Sequence, residues 1–220
     1  MPYIIDKNNH IKKHNFDYEN FYNDLLQNIL FKNNHSYLSN WFEIISKAEM
    51  NNDLKELECL NTTFEYELPV ANQNFYFHFN VERISKEIMK HPFKYPPFKI
   101  KTSCFSDNAI VSYTHIDYNN KHIKSKKPII IIPMLQDNAE YLVIDGNHRV
   151  SAKLDNNIKK IRCIVYTPSH IYDFHFKIDF VMWMFINEIN NFSDLIHEYN
   201  VEMNDLLKQS YIKKVESYLL

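Results

Sequence analysis

Two short, strongly apolar runs, PIIIIPML (128–135) and EYLVID (140–145), precede a helix-forming stretch, HRVSAKLDNN, and a third apolar run, IKKIRCIVYT. Apolar runs of this length, bounded by turn residues, read as buried strands. Strand, strand, helix and strand between Pro128 and Thr167 therefore dictate a compact α/β unit. Inside it, the turn DGNHR holds Gly146, the only glycine among 220 residues, and Arg149, one of three arginines beside Arg83 and Arg162.

The flanking sequence follows other rules. Tyr18, Phe21, Tyr22, Leu25, Leu26, Ile29 and Leu30 recur in threes and fours, which predicts a helix. Leu38, Trp41, Phe42, Ile45 and Ala48 predict a second, capped by Ser36, so that residues 1–60 form an N-terminal helical hairpin. TTFEYELPV and NFYFHFNV alternate with period two and predict strands. Glu82–Lys90 predicts a short helix, closed by the prolines of HPFKYPPFK. AIVSYTHI reads as a strand and NNKHIKSKK as a loop. After Pro168, Ile171, Phe174, Ile178, Val181, Met182, Phe185, Ile186 and Ile189 predict a long helix, apolar around so much of its circumference that it is buried. Polar helices over Ser193–Leu220 follow. The expected fold class is α+β: a mixed-sheet core over residues 61–168, preceded by the helical hairpin and followed by a C-terminal helical region, 169–220, packed on it.

Hydrophobic residues at 45% and charged residues at 24% suit a soluble globular chain, and 16 Phe with 15 Tyr make its core aromatic. The formal net charge of −2 argues against broad, charge-driven binding of nucleic acid, although Lys121, Lys124, Lys126 and Lys127 cluster ahead of Pro128. Cys59, Cys104 and Cys163 are too sparse for a disulfide framework or a zinc site. No apolar run is long enough to span a bilayer, and MPYIIDKNNHIKK lacks the order of a signal peptide. The expectation is a cytoplasmic protein without a membrane partner.

At the DGNHR turn a strand feeds a helix. The first N–H groups of a helix have no partners within it and carry the positive end of its dipole, so an anion is stabilised there. Gly146 permits the tight turn and lets phosphate oxygens approach the backbone. Arg149 adds a permanently charged planar fork that fits phosphate, His148 a donor that titrates near neutrality, and Asn147 an amide at the rim. Asp145 would repel an anion; it suits an N-cap, a metal contact or a base. The same residues also have a purely structural reading. Asp-Gly is a common turn, Asp145 then merely caps the helix, His148 is a core histidine, and Arg149 pairs with a carboxylate.

The stretch KPIIIIPMLQDNAEYLVIDGNHRVSAKLDNNIKKIRCIVYT (127–167) resembles the core of the ParB/sulfiredoxin superfamily. Its members share an apolar strand led by proline, a second strand ending at a Gly-x-[His/Arg]-Arg turn, a helix with small residues, and a strand after a short loop. The resemblance reaches back toward Asn80–Lys90 and leaves out both helical ends. Where sulfiredoxins have a reactive cysteine, this chain has Asn147, so sulfinyl reduction lacks its nucleophile. Partition ParB proteins carry Gly-Glu-Arg-Arg and a following helix-turn-helix region; here Asn147 and His148 stand instead, ahead of an aromatic helix. The nearest form is the Asp-Gly-x-His-Arg turn of the ParB-like free serine kinases. This resemblance implies that Gly146, Asn147, His148 and Arg149 hold the phosphates of ATP or another nucleotide.

The function so implied is Mg²⁺-dependent phosphoryl transfer or nucleotide hydrolysis, with a small hydroxyl compound such as serine as acceptor. Asp145 would bind the metal or act as base, and His148 would polarise a phosphate or shuttle a proton. Glu82 and Arg83, at a strand-to-helix junction, are candidates for catalysis and phosphate contact respectively; alternatively Glu82 is an exposed first-turn residue. His115 and Asp117 in THIDY are a metal pair or simply loop polarity. Lys94 faces substrate or sits in a rigid connector. Cys163 is a small buried hydrophobe, and Arg162 an exposed strand residue. Against the enzyme stand a nucleotide-gated module contacting DNA or a protein partner without rapid chemistry, a nuclease, and a structural protein without ligand. The apolar stripe of the C-terminal helix is core or a homodimer contact.

Overall fold

A computed structural model describes residues 3–5, 11–28, 31–50, 63–70, 72–106, 110–135 and 139–219. The fold is α+β, as the patterning predicts. The chain opens with β1 (Tyr3–Ile5), β2 (Ile11–Lys13), α1 (Tyr18–Gln27), α2 (His35–Met50), β3 (Thr63–Val70) and β4 (Gln73–Asn80). It continues with α3 (Val81–Lys90), β5 (Phe98–Lys101), β6 (Val111–Ser112), α4 (Asn120–Lys124), β7 (Ile129–Pro133), β8 (Tyr141–Asp145), α5 (Asn147–Asp155) and β9 (Lys160–Val165). It ends with α6 (Lys177–Tyr199), α7 (Met203–Leu207) and α8 (Ile212–Leu219). Two compact units result: residues 1–79 with 169–220, and residues 80–168. Where the sequence suggests segments 1–60, 61–168 and 169–220, the hairpin of β3 and β4 groups with the chain ends.

In the first unit, α1 is capped by Asp17, whose side chain accepts the Asn20 N–H at 2.9 Å. The helix stops at Gln27; Ile29 and Leu30 lie outside the described residues. α2 begins at His35, so Ser36 sits in its first turn rather than at its cap. α6 is the spine, and Phe185 meets the rings of Trp41, Phe42 and Phe21 at 5.1, 5.9 and 6.0 Å. α6 starts later than its apolar pattern suggests, because Asp173 accepts the N–H groups of Ser169 and His170, both at 3.0 Å, and closes a separate turn. Ile171 and Phe174 therefore precede the helix, and Ser193 lies inside it. One carboxylate fastens these helices. Glu188, buried, accepts from Tyr37 (2.7 Å), Trp41 (2.9 Å), the Ser210 hydroxyl (2.7 Å) and the Tyr211 N–H.

The second unit is a five-stranded mixed sheet in the order β5-β9-β7-β8-β6. β7 runs parallel to β9 and antiparallel to β8, β6 parallel to β8, and β5 antiparallel to β9. Ile129, Ile131, Val143, Ile161 and Cys163 pack with Val150 of α5 into one core, which fixes α5 on the central strands. Two expectations need correction, and the connector adds a strand. AIVSYTHI supplies only the two residues of β6, and 113–119 have no regular structure. The connector HPFKYPPFK leads into an edge strand, β5, because prolines hold the backbone extended and an edge tolerates them. NNKHIKSKK contains α4, closed by a reciprocal cap between Asn119 and His122.

Candidate functional site

β8 ends at Asp145, and Gly146 is the N-cap of α5 with φ of 110° and ψ of 17°. A Cβ there would lie 2.6 Å from Ile129 Cγ2 and 2.7 Å from Arg149 Nη2. Both the backbone conformation and the space therefore demand glycine. The Gly146 carbonyl accepts the N–H groups of Arg149 (2.8 Å) and Val150 (2.9 Å). Those of Asn147 and His148 have no acceptor among the described residues. No acidic residue occupies the first turn, and no side chain caps the helix.

Asp145 is thus not the cap. Its Oδ2 accepts from Arg149 Nη2 and from Lys127 Nζ, both at 3.1 Å. Arg149 Nη2 also donates to the Pro128 carbonyl at 3.3 Å, while its Nε is buried without a hydrogen-bond partner. The pairing of Arg149 with a carboxylate is the structural alternative, and the partner is its own neighbour. Asn147 is buried rather than at the rim: Oδ1 accepts the Thr114 N–H (3.0 Å) and Nδ2 donates to the Val143 carbonyl (3.2 Å). Ser151, which the sequence does not single out, accepts the Ile116 N–H at 3.0 Å and completes the tie of 113–117 to α5.

His148 is exposed, not a core histidine. Its Nδ1 donates to the Asp117 carbonyl at 2.6 Å, which fixes the hydrogen on Nδ1. Its ring stacks on His122, centroids 5.2 Å apart and planes 14° from parallel. The His122 Nδ1 accepts the Asn119 N–H at 3.2 Å. Desolvation, then the neighbouring His148, Lys121 and Arg149, lower the His122 pKa. Lys153 donates to the Ser125 carbonyl at 3.0 Å, and burial together with Arg149 lowers its pKa. Beside the turn Asp145 is held between Lys127 and Arg149, and His148 and Lys153 belong to the same helix as Arg149.

The remaining candidates make contacts of their own. Glu82 is exposed and pairs within α3 with Lys86, which holds its carboxyl below the usual range. The Arg83 N–H is accepted by the Asn80 side chain at 3.0 Å, the cap of α3. His115 faces Asp155 at 3.3 Å, and Asp117 offers its backbone carbonyl to His148. Among the described residues no group of three or more His, Cys, Asp or Glu is placed to hold a metal ion. Asp145, its carboxylate shared by two cations, does not fit the role of metal ligand. Cys163 is buried as expected, its thiol pushed up to about 12 by burial and then by Cys104. Cys59 lies outside the described residues. No described helix is long and apolar enough to cross a membrane.

Comparison with protein-family models, with curated proteins and with solved structures finds no match to this chain.

Proposed function

We propose that the N terminus of α5 binds the phosphates of a nucleotide, and that the protein is a cytoplasmic, nucleotide-dependent phosphotransferase or NTPase of ParB/sulfiredoxin type. The observation that carries this reading is the pair of N–H groups of Asn147 and His148, without an acceptor among the described residues, at the positive end of α5, beside a residue without a Cβ. Phosphate oxygens accept from both. Lys127 and the Arg149 guanidinium add charge, and His148, its tautomer set by Asp117, presents Nε2 to hold or pass a proton. Asp145 acts here as a positioning residue for Arg149 and Lys127, not as a base. Mg²⁺ enters this reading only as a companion of the nucleotide's phosphates and is assigned no ligand from the protein. The resemblance of 127–167 to the superfamily supports a nucleotide over other phosphate compounds, and a small hydroxyl acceptor such as serine.

The test is thermal unfolding with a panel of nucleotides, with and without Mg²⁺, on the wild type and on Lys127→Ala and His148→Ala. A ligand at 100 times its Kd adds about 2.7 kcal/mol, a shift of roughly 5–10 °C for a chain of this size. At least one nucleotide should produce it in the wild type, and both variants should reduce it. A panel that leaves the wild type unmoved removes the reading. Phosphate release that accelerates with added serine would identify the transferase.

A further inference from the structure

The net charge of −2 conceals two opposite units. Residues 80–168 hold 15 of the 25 Lys and Arg but 8 of the 27 Asp and Glu, a formal charge of +7; the rest of the chain, with 10 and 19, carries −9. An asymmetry of this size within one chain points to a polyanionic partner for the basic part.

The excess is concentrated on one strip of sheet. Lys99 of β5 stands opposite Arg162 of β9, and Lys101 opposite Lys160. Residues directly opposed, and residues two apart in a strand, share a face. All four cations therefore project from the same face, and all four are exposed. The other face sends Ile161 and Cys163 into the core. None of the four has an acidic partner among the described residues. Four of the unit's eight carboxylates are paired elsewhere: Glu82 with Lys86, Glu87 with His91, Asp155 with His115, and Asp145 with Lys127 and Arg149. Arg162 reaches the Lys126 carbonyl at 3.5 Å, which brings a fifth exposed cation alongside. Like charges directly opposite one another destabilise a sheet, and two such pairs in succession compound that cost unless an anion lies over them.

The connector into β5 adds an aromatic. Phe93 is 100% exposed, and two residues on, the Tyr95 ring packs 5.3 Å from Tyr166, just past the end of β9. The connector is thereby held at the end of the basic strip.

We propose that this face of β5 and β9 binds a single strand of nucleic acid, with phosphates on Lys99, Lys101, Lys160 and Arg162 and a base stacked on Phe93. Cations tracking a backbone beside an exposed ring are the two components of single-strand binding, and the ring is useful only to an unstacked base. A duplex offers none. A bilayer needs an amphipathic helix with a continuous apolar face, whereas the exposed Met89, Phe93, Phe98, Ile110 and Ile158 are spread over a helix, a connector, a strand and loops. The proposal uses residues distinct from those of the nucleotide site and stands without it.

Fluorescence anisotropy of the full chain with labelled oligouridine and oligothymidine of about a dozen nucleotides tests it, across about 50–200 mM salt. Four phosphate contacts predict a log–log salt slope of about −3. The double variant Lys99→Gln/Arg162→Gln should flatten that slope by about 1.4 and weaken binding at least tenfold. Lys101→Gln/Lys160→Gln should do the same, and serves if the first pair does not fold. Phe93→Ala should weaken binding about five- to hundred-fold with the slope unchanged, whereas Lys86→Gln should change neither. The RNA and DNA arms tell which strand is preferred. No binding, or a slope that neither double variant moves, overturns the proposal. So does capture by anionic vesicles without oligonucleotide binding, or self-association that the same variants abolish, since either assigns the strip to a different partner.

Discussion

At Gly146 two demands meet on one residue. Its φ of 110° excludes side chains in general, and an added Cβ would press on both Ile129 and Arg149. Gly146→Ala should therefore cost about 2–4 kcal/mol, strain and overpacking together, read as a lower urea midpoint for the unit of residues 80–168. The residues around it illustrate what a sequence discloses. The strand, the glycine turn and the helix that make the site are legible, because periodicity and glycine's rarity mark them. The direction of each side chain is not: Asn147 turns inward to serve Thr114 and Val143, and Asp145 turns to Lys127 and Arg149 instead of to the cap. A second buried cluster carries a pH prediction. His78 donates or is bonded through Nδ1 to Asp179 at 2.9 Å and through Nε2 to Glu65 at 3.0 Å. Burial opposes its charge, but the two carboxylates prevail and hold its pKa at about 9. That value is raised above the unfolded one, so the stabilisation is complete below about 6.5 and is lost as pH rises through the folded value. Nearby His175, lowered to about 4 by burial and then by His78, acts in the other sense. Its contribution is present above about 6.5 and is lost as pH falls toward the folded value. Both tryptophans, Trp41 and Trp183, belong to this unit, so tryptophan emission in urea reports it. The midpoint should peak near pH 6.5 and fall on both sides; a His78→Gln variant that keeps the alkaline fall would show the charge lies elsewhere.

Among the elements, those with long apolar periods are the legible ones: α1, α2, α6 and the strands β3, β4, β7, β8 and β9 all lie close to where the pattern puts them. The short ones are not. β5 and β6 exist because central strands offer them unpaired edges, a condition no local pattern records, and α4 depends on a cap exchanged between Asn119 and His122. Nor does periodicity reveal that α6 carries a buried acid. Glu188, on α6, accepts from α2 and from the turn ahead of α8, four donors converging on two oxygens. In Glu188→Gln one oxygen becomes an NH₂ group facing donors. The expected cost is about 1–3 kcal/mol, with a change in Trp41 emission because its indole N–H loses or shares its acceptor. Phe185→Ala, which opens the ring cluster of Phe21, Trp41 and Phe42, should cost about 3–5 kcal/mol. If Glu188→Gln leaves stability and emission unchanged, the carboxylate is not the clamp that joins these helices.

At the scale of the molecule, whole-chain charge is the least informative of the sequence quantities, because it averages +7 with −9. Net charge disfavours nucleic-acid binding for the chain as a sum and not for residues 80–168. The division of the chain also has an order that segments read from one end to the other do not anticipate. Residues 80–168 are continuous, while the other unit is assembled from both ends of the chain. All five strands of the mixed sheet, α5 and the core around Ile129, Val143, Val150 and Ile161 lie within that continuous stretch. A polypeptide of residues 80–168 should consequently fold alone, with a cooperative thermal transition followed by far-UV circular dichroism. It has no tryptophan, so any tryptophan signal in the full chain comes from the other unit. It should be retained on a cation exchanger at neutral pH that lets the full chain pass, and it should keep whatever nucleotide-dependent stabilisation the full chain shows. The chain truncated after residue 168 should behave differently. Without α6 it loses Asp179, Phe185 and Glu188 together, leaving His78, Tyr37 and Trp41 without their buried partners. Its Trp41 emission should be that of an exposed indole even at low temperature. A fragment 80–168 that melts without cooperativity would mean that the sheet depends on the acidic unit, and that the two charges are balanced within one folding unit.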